Sequence, residues 1–86
     1  MAENKIEVSG NYLIIEDEKK NVTEFQLKNV FYRTENDAFI IRDVTYRYII
    51  PFDQVEKYGD QRGGSYTVET MTEFLRQVTG SLGATI

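Results

Sequence analysis

Three arginines alternate with tyrosines in the middle of the chain, and this stretch has the composition of a binding surface. The residues are Arg33, Arg42 and Arg47, interleaved with Tyr32, Tyr46 and Tyr48. Aromatic side chains beside arginine are how small barrels stack single-stranded bases, and both residue types are enriched at protein–protein interfaces. The structural alternative is cross-strand pairing, with tyrosine against aliphatic side chains and arginine against carboxylates. Pairing within the sheet is the favoured interpretation, followed by a protein interface and then by nucleic acid.

The charge balance argues against nucleic acid as the partner of these arginines. The chain carries 10 basic and 14 acidic side chains, for a net charge of -4. In residues 29–50 the three arginines are balanced by Glu35, Asp37 and Asp43. Because phosphate contacts supply most nucleic-acid affinity, an acidic chain without a basic block is a poor general binder.

A glycine-rich stretch over residues 59–65 has part of the spacing of a phosphate-binding loop. The lysine that would reach the β- and γ-phosphates is missing, and no buried parallel strand precedes the loop. The sequence therefore indicates a flexible connection here.

The residues needed for catalysis are sparse. The chain has no His and no Cys, which removes the commonest general base, the commonest metal ligand and any thiolate. Hydroxyl groups occur at Ser65, Thr67, Thr70 and Thr72, but no base accompanies them in that segment. We expect no enzymatic activity and no cofactor.

Acidic residues cluster over residues 16–18 and 35–37 and as the pair Asp53 and Glu56. Neither cluster has the alternating ligands and distal glutamate of a calcium loop. Nothing in the sequence brings Asp53 and Glu56 into one cleft. These carboxylates are expected to be solvated charges or caps, and we expect no metal site.

The elements that position these residues are mainly strands. Alternating apolar and polar residues predict about six short strands before Pro51, in the order of an antiparallel meander. Tight turns are expected at Gly10-Asn11 and at residues 35–37, and residues 44–50 are expected to form a strand. No internal repeat is apparent. The sequence leaves open whether the strands form one open sheet or a small barrel.

One helix is predicted at about residues 67–79, after the strands. Thr67 is placed to be its N-cap, Tyr66 and Met71 have the spacing of a hydrophobic staple, and Gly80 could be the left-handed residue after its end. The prediction is therefore an α+β fold with a C-terminal helix. Residues 1–80 would form one domain, and residues 81–86 a flexible arm.

The last third of the chain also carries a recognisable pattern. Its residues are Asp53, Gly64, Tyr66, Thr67, Glu69, Thr70, Phe74, Leu75, Thr79 and Gly80. In this pattern the chain resembles small β-rich virion structural proteins of tailed bacteriophages, particularly those of Bacteroidetes-like hosts. The resemblance implies a non-enzymatic part, repeated many times in a capsid, neck or tail. It transfers no functional residues.

We therefore expect a virion structural or assembly subunit that contacts copies of itself and other virion proteins. The expected interface residues are Arg33, Arg42, Tyr46, Arg47, Tyr48, Leu82 and Ile86. The alternative is a small adaptor that binds a peptide or single-stranded nucleic acid across the Tyr/Arg strands. No small-molecule substrate is expected. Without a signal-like N-terminus or a membrane-length apolar segment, the chain is expected to be soluble and made in a cytoplasm. The resemblance implies the virion as its location, after synthesis in the host cytoplasm; otherwise the expected location is the cytoplasm.

Overall fold

Seven strands, a 3₁₀ helix and an α-helix make up the computed structural model, which describes residues 3–60 and 62–80. The strands are β1 (Asn4–Ser9), β2 (Tyr12–Glu16), β3 (Val22–Gln26), β4 (Phe31–Thr34), β5 (Ala38–Arg42), β6 (Arg47–Pro51) and β7 (Tyr58–Gly59). The 3₁₀ helix is Phe52–Lys57 and the α-helix, α1, is Val68–Gly80. The predicted α+β class, with antiparallel strands and one C-terminal helix, is confirmed.

The strands form two sheets. One has the order β3-β2-β1-β7 and the other the order β4-β5-β6. All neighbours are antiparallel except β7, which runs parallel to β1 and pairs with it at Asn4 and Lys5. The sequence predicted neither the division into two sheets nor β7, because a strand of two residues has no periodicity to detect.

Two successive meanders, β1–β3 and β4–β6, share one register. In the first, Ile15 pairs with Ile6 and Thr23. In the second, Ile41 pairs with Tyr32 and Tyr48. By this correspondence, Leu13, Ile14, Ile15, Glu16 and Asp17 of the first meander match Phe39, Ile40, Ile41, Arg42 and Asp43 of the second. The expectation of no repeat was therefore wrong at the level of structure.

A single hydrophobic core receives the inner side of both meanders and one side of α1. Its fully enclosed members include Ile6, Leu13, Ile15, Phe25, Phe39, Ile41, Ile50, Met71 and Leu75. Burying such side chains contributes roughly 1.5–3 kcal/mol each. Helix α1 touches β4 and the 3₁₀ helix, so it closes the core beside the second meander.

The start of α1 is fixed by two threonines. The Thr70 amide donates to Thr67 Oγ1 at 3.1 Å, and the Thr67 amide donates to Thr70 Oγ1 at 2.8 Å. This reciprocal arrangement resembles a capping box with threonine in the usual place of glutamate, and it confirms Thr67 as the N-cap. The helix includes Gly80, one residue beyond the predicted end, which is an ordinary uncertainty for a helix terminus.

The predicted turns are present, and one predicted strand is shorter than expected. Gly10 has a φ of 60°, and Asn36 and Asp37 have φ values of 54° and 58°, as tight hairpin turns require. Residues 44–46 do not join β6, because Asp43 Oδ1 accepts the amides of Thr45 and Tyr46 at 2.8 and 2.7 Å. A side chain that captures backbone amides in this way competes with the strand ladder.

Candidate protein-interaction site

The three arginines lie on one exposed side of the second meander. Successive residues of a strand point to opposite faces, and the alternate residues Tyr32, Ile41 and Tyr48 belong to the core. The outward-facing set is Phe31, Arg33, Ile40, Arg42, Arg47 and Ile49, and we call it the arginine face. The structure thus brings Arg33, Arg42 and Arg47 together on one surface, as the sequence suggested.

Arg42 and Arg47 are directly opposite each other on β5 and β6. Like charges in this position destabilise a sheet. Arg42 is partly accommodated, since its Cζ lies 5.7 Å from the centre of the Phe31 ring and its Nε donates to the Asp43 carbonyl at 3.3 Å. Within residues 3–60 and 62–80, neither arginine has a carboxylate oxygen within salt-bridge distance. The hydrogen bond from the Tyr46 amide, and to a smaller extent the Arg42 charge, lower the pKa of the neighbouring Asp43 carboxyl. The positive charge of the pair is therefore only partly compensated within the described residues.

Arg33 completes the charged part of the face from β4. It lies opposite Ile40 and forms an ion pair with Glu35, at 3.3 Å between Nη2 and Oε2. Both side chains of this pair are substantially exposed, so the pair contributes little stability. The Arg33 Nε is buried and has no hydrogen-bond partner in the described chain.

The apolar part of the arginine face is unusually open to solvent. Ile49 is 52% exposed and Phe31 is half-buried, whereas Ile40 at the centre is buried. At the adjoining turn, Tyr46 is 64% exposed and Val44 is 87% exposed. Charge and apolar surface therefore occur together on this side of the molecule, as they do in protein interfaces that contain arginine and aromatic residues.

Tyr48 does not lie on this face with the arginines. It packs against the core, and its hydroxyl is 2.8 Å from the hydroxyl of Tyr58 on β7. Burial, and then the bond to Tyr48, raise the pKa of the Tyr58 phenol above its usual value. Tyr48 thus links the two sheets. The predicted contact residues Leu82 and Ile86 lie outside the described residues.

Tyr46 faces the first meander across a shallow depression. The depression has a volume of about 540 Å³ and is lined by Val22, Thr23, Glu24 and Tyr46. Val22, at the start of the edge strand β3, is 54% exposed. Neither Val22 nor Val44 was predicted as a contact residue, although alternation within β3 places Val22 on the same side as Glu24.

The backbone amides of the glycine-rich loop bind a carboxylate from the same loop, that of Asp60. The Asp60 Oδ1 accepts the amides of Arg62 and Gly64 at 2.9 and 2.7 Å, and Gly63 between them has a φ of 86°. A bound phosphate would need amides of this kind, but a carboxylate occupies them. The arrangement is that of a closed turn.

The hydroxyl groups near the helix have structural partners. Thr67 and Thr70 cap α1, and the Thr72 hydroxyl donates to the Val68 carbonyl at 2.7 Å. Asp53 and Glu56 are on the 3₁₀ helix and exposed. Both nevertheless line one open depression of about 350 Å³ between the 3₁₀ helix and the start of α1, which the sequence did not predict. The Thr67 hydroxyl in this depression is engaged in capping α1.

Within residues 3–60 and 62–80, no group of three or more acidic side chains has the geometry to hold a metal ion. None of the described helices combines the length and the apolar character needed to cross a membrane. Comparisons of the chain with protein-family models, curated proteins and solved structures gave no match.

Proposed function

We propose that this chain is a non-enzymatic structural or assembly subunit of a phage virion, and that it works through protein–protein contacts made by its arginine face. The observation that supports this most directly is the opposed pair of a half-buried Arg42 and an exposed Arg47 beside Phe31 and Ile49. Among residues 3–60 and 62–80, no carboxylate lies within salt-bridge distance of either arginine. A protein partner that supplies carboxylates and an apolar surface would relieve the repulsion and cover the exposed isoleucine.

The shape of the arginine face favours a protein partner over a small ligand. Small-molecule sites are concave and enclose most of the ligand surface. The outward residues of β4, β5 and β6 form one side of a three-stranded sheet, and Ile49 is half exposed on it. Such a surface can contact another sheet or a helix over several residues at once.

The assignment to a virion rests on the resemblance of the last third of the chain to tailed-phage structural proteins. Capsid decoration, the neck and the tail are all compatible with a small β-rich subunit. In each place the partners would be other copies of the chain and neighbouring virion proteins, and the location would be the particle.

The second candidate function is an adaptor for a peptide or single-stranded nucleic acid. The contact between Arg42 and the Phe31 ring favours it, because arginine and an aromatic ring together can stack an extended ligand. Against nucleic acid, Tyr32 and Tyr48 turn into the core, which leaves few aromatic rings for bases.

Purified phage particles provide the test of the virion role. We expect mass spectrometry to find many copies of the chain per particle. The variant Arg42→Gln/Arg47→Gln should be incorporated much less than the wild type. The control Lys28→Gln/Arg62→Gln removes the same charge from exposed positions elsewhere and should be incorporated normally.

Two results would contradict the proposal. If the chain is absent from particles, the virion role is wrong. If short oligonucleotides bind the wild type in a salt-dependent way, and the Arg42→Gln/Arg47→Gln variant loses this binding, the adaptor is the better assignment.

A further inference from the structure

The outward side of the first meander carries the opposite charge to the arginine face. Its residues alternate with the core residues Ile6, Leu13, Ile15 and Phe25. The outward set includes Lys5, Glu7, Tyr12, Ile14, Glu16, Val22 and Glu24, and we call it the glutamate face. Three carboxylates and one lysine lie along these strands, whereas the strands of the arginine face carry three arginines and no carboxylate.

The two faces correspond position by position. Ile14 on the central strand β2 lies between Glu7 and Glu24. Its counterpart, Ile40 on β5, lies between Arg33 and Ile49.

The next outward residue on the central strand is Glu16 in the first meander and Arg42 in the second. Glu7 and Glu16 thus occupy the places that Arg33 and Arg42 occupy on the other sheet. An isoleucine with charged neighbours is at the centre of both faces, and the sign of the charge is reversed.

We infer that copies of this chain associate head to tail, with the glutamate face of one copy on the arginine face of the next. This inference rests on the proposed function and names a second copy of the chain as the partner of the arginine face. Pairing of like faces is disfavoured, since arginine would meet arginine and glutamate would meet glutamate. A heterologous contact of this kind gives a ring if its rotation closes and a filament if it does not.

The ion pairs already present within one copy do not prevent this exchange of partners. Lys20 lies 4.0 Å from Glu16 and is 84% exposed, and the pair of Arg33 with Glu35 is also open to water. Exposed pairs of this kind are weak and are readily replaced. The carboxylates of a neighbouring copy would also have Arg42 and Arg47 available, which have no such pair in the described chain.

The size of the faces sets the strength of the contact. Three strands about 4.8 Å apart, each about five residues long, give a face on the order of 10 by 17 Å between strand axes. A contact of that size falls in the weak class of protein interfaces. Each copy can make two such contacts, one through each face, so avidity in a closed ring or on a larger particle would add to the strength of the assembly.

Sedimentation equilibrium with two complementary variants tests the inference. Arg42→Gln/Arg47→Gln alters the arginine face, and Glu7→Gln/Glu24→Gln alters the glutamate face. At low salt we expect the mass of the wild type to rise beyond that of a dimer with concentration. We expect association of each variant alone to weaken by about tenfold or more.

A mixture of the two variants should form a one-to-one dimer and nothing larger. Each variant keeps one native face, so a single contact is restored between them and further growth is blocked. The control Glu69→Gln/Glu73→Gln removes two carboxylates from exposed positions on α1 and should associate like the wild type. Raising the salt from about 20 mM to about 500 mM should dissociate the wild-type assembly, since screening shortens the range of the charges.

Three outcomes would overturn the inference. They are a wild type that stays monomeric at about 1 mM protein in low salt, a face variant that associates like the wild type, and a variant mixture that stays monomeric although circular dichroism shows both variants folded. A monomer that still enters phage particles would exclude head-to-tail pairing and leave the virion role intact. An assembling chain that is absent from particles would exclude only the virion role.

Discussion

The first and second meanders place residues at matching positions but differ in what they show to solvent. Ile15 and Ile41 occupy the same place and are both fully buried. Glu16 and Arg42 are the next residues along these two strands, and they also occupy equivalent positions. Both face outward, with opposite charge. The shared core constrains the residues at the inner positions, whereas the outer positions of the same strands are free to acquire a binding role.

The meanders also differ at their second turns. Asp17 and Asp43 each follow the central strand, and each carboxylate accepts two backbone amides of its turn. In the first meander this turn is one residue longer than in the second, and it places Lys20 at a φ of 70°. The equivalent turn of the second meander, residues 43–46, has no residue with a positive φ.

The largest effects should come from the equivalent core positions. Ile15→Ala and Ile41→Ala should each lower the free energy of unfolding by about 2–5 kcal/mol, because each leaves a cavity in one shared core. Urea denaturation measures both values. If the alanine variants do not fold, Ile15→Val and Ile41→Val should each cost about 0.5–1.5 kcal/mol. A near-zero cost in only one meander would show that the two do not share a core.

The next largest change in the free energy of unfolding should come from the longer turn of the first meander. Lys20→Gly should raise the free energy of unfolding by about 0.5–1 kcal/mol, since glycine adopts a positive φ without steric cost. The turn that begins at Asp60 has the same hydrogen bonds as the turn that begins at Asp17. In the Asp60 turn, the position that matches Lys20 is Gly63, with a φ of 86°. The matched changes Lys19→Gly and Thr45→Gly should lower stability, which thermal denaturation can test. Stabilisation by all three glycines would instead indicate a general effect on the turns.

Substitutions that change the charge of residues paired across two strands should alter the free energy of unfolding by a similar or smaller amount. Arg47→Glu places a carboxylate opposite Arg42 and should raise the free energy of unfolding by about 0.2–1 kcal/mol. Val22→Arg, opposite Glu16 in the first meander, should act in the same direction. Melting temperatures at low and high salt measure both changes, and the gains should shrink in high salt. A loss of stability from Arg47→Glu at low salt would mean that Arg42 and Arg47 do not repel each other.

The two turn aspartates should produce the smallest effect, visible only as a dependence on pH. Amide hydrogen bonds, led by those from Asn21 to Asp17 and from Tyr46 to Asp43, hold the pKa of each carboxyl below its ordinary value of 3.8. Because the folded-state pKa is depressed, the stabilisation is present above the unfolded-state pKa. It is lost as the pH falls through the folded-state pKa.

Asp17→Asn and Asp43→Asn keep an acceptor oxygen and remove the charge. Each should melt below the wild type at neutral pH, and the difference should disappear as the pH falls through the depressed folded-state pKa of the aspartate. Melting curves across this range provide the measurement. A difference that stays constant down to acid pH would assign the effect to geometry instead of charge.

Local signals allowed much of the fold to be predicted from the sequence. The start of α1 was predictable because the N-cap Thr67 accepts a hydrogen bond from the amide of Thr70, only three residues away. The turns at Gly10 and at Asn36-Asp37 were predictable because few residues tolerate a positive φ. Each of these features depends on neighbours in the sequence.

The features that were not predicted depend on distant residues. The pairing of β7 with β1 brings Asn4 to Tyr58 across more than fifty residues of sequence, and the division into two sheets likewise follows from contacts between strands that are far apart in the chain. Alternation over residues 44–50 separated Tyr48 and Ile50 from Arg47 and Ile49, but it did not show which side packs on the core. The start of β6 at Arg47 was also not predicted, because the Asp43 side chain captures the amides of the two residues before Arg47. The register shared by β1–β3 and β4–β6 could not be predicted from the sequence, because the matching strands have few identical residues.

The short ladder between β1 and β7 has a consequence for the order of folding. Both meanders can form from local hairpins, whereas Asn4 must close a long loop to reach Tyr58. Such closure carries an entropic cost before the contact contributes any stability. During synthesis on the ribosome, this ladder cannot form until residues 58 and 59 have emerged. Until then Asn4 and Lys5 lack their β7 partners, and this end of the β1 edge is open to pairing with another nascent chain.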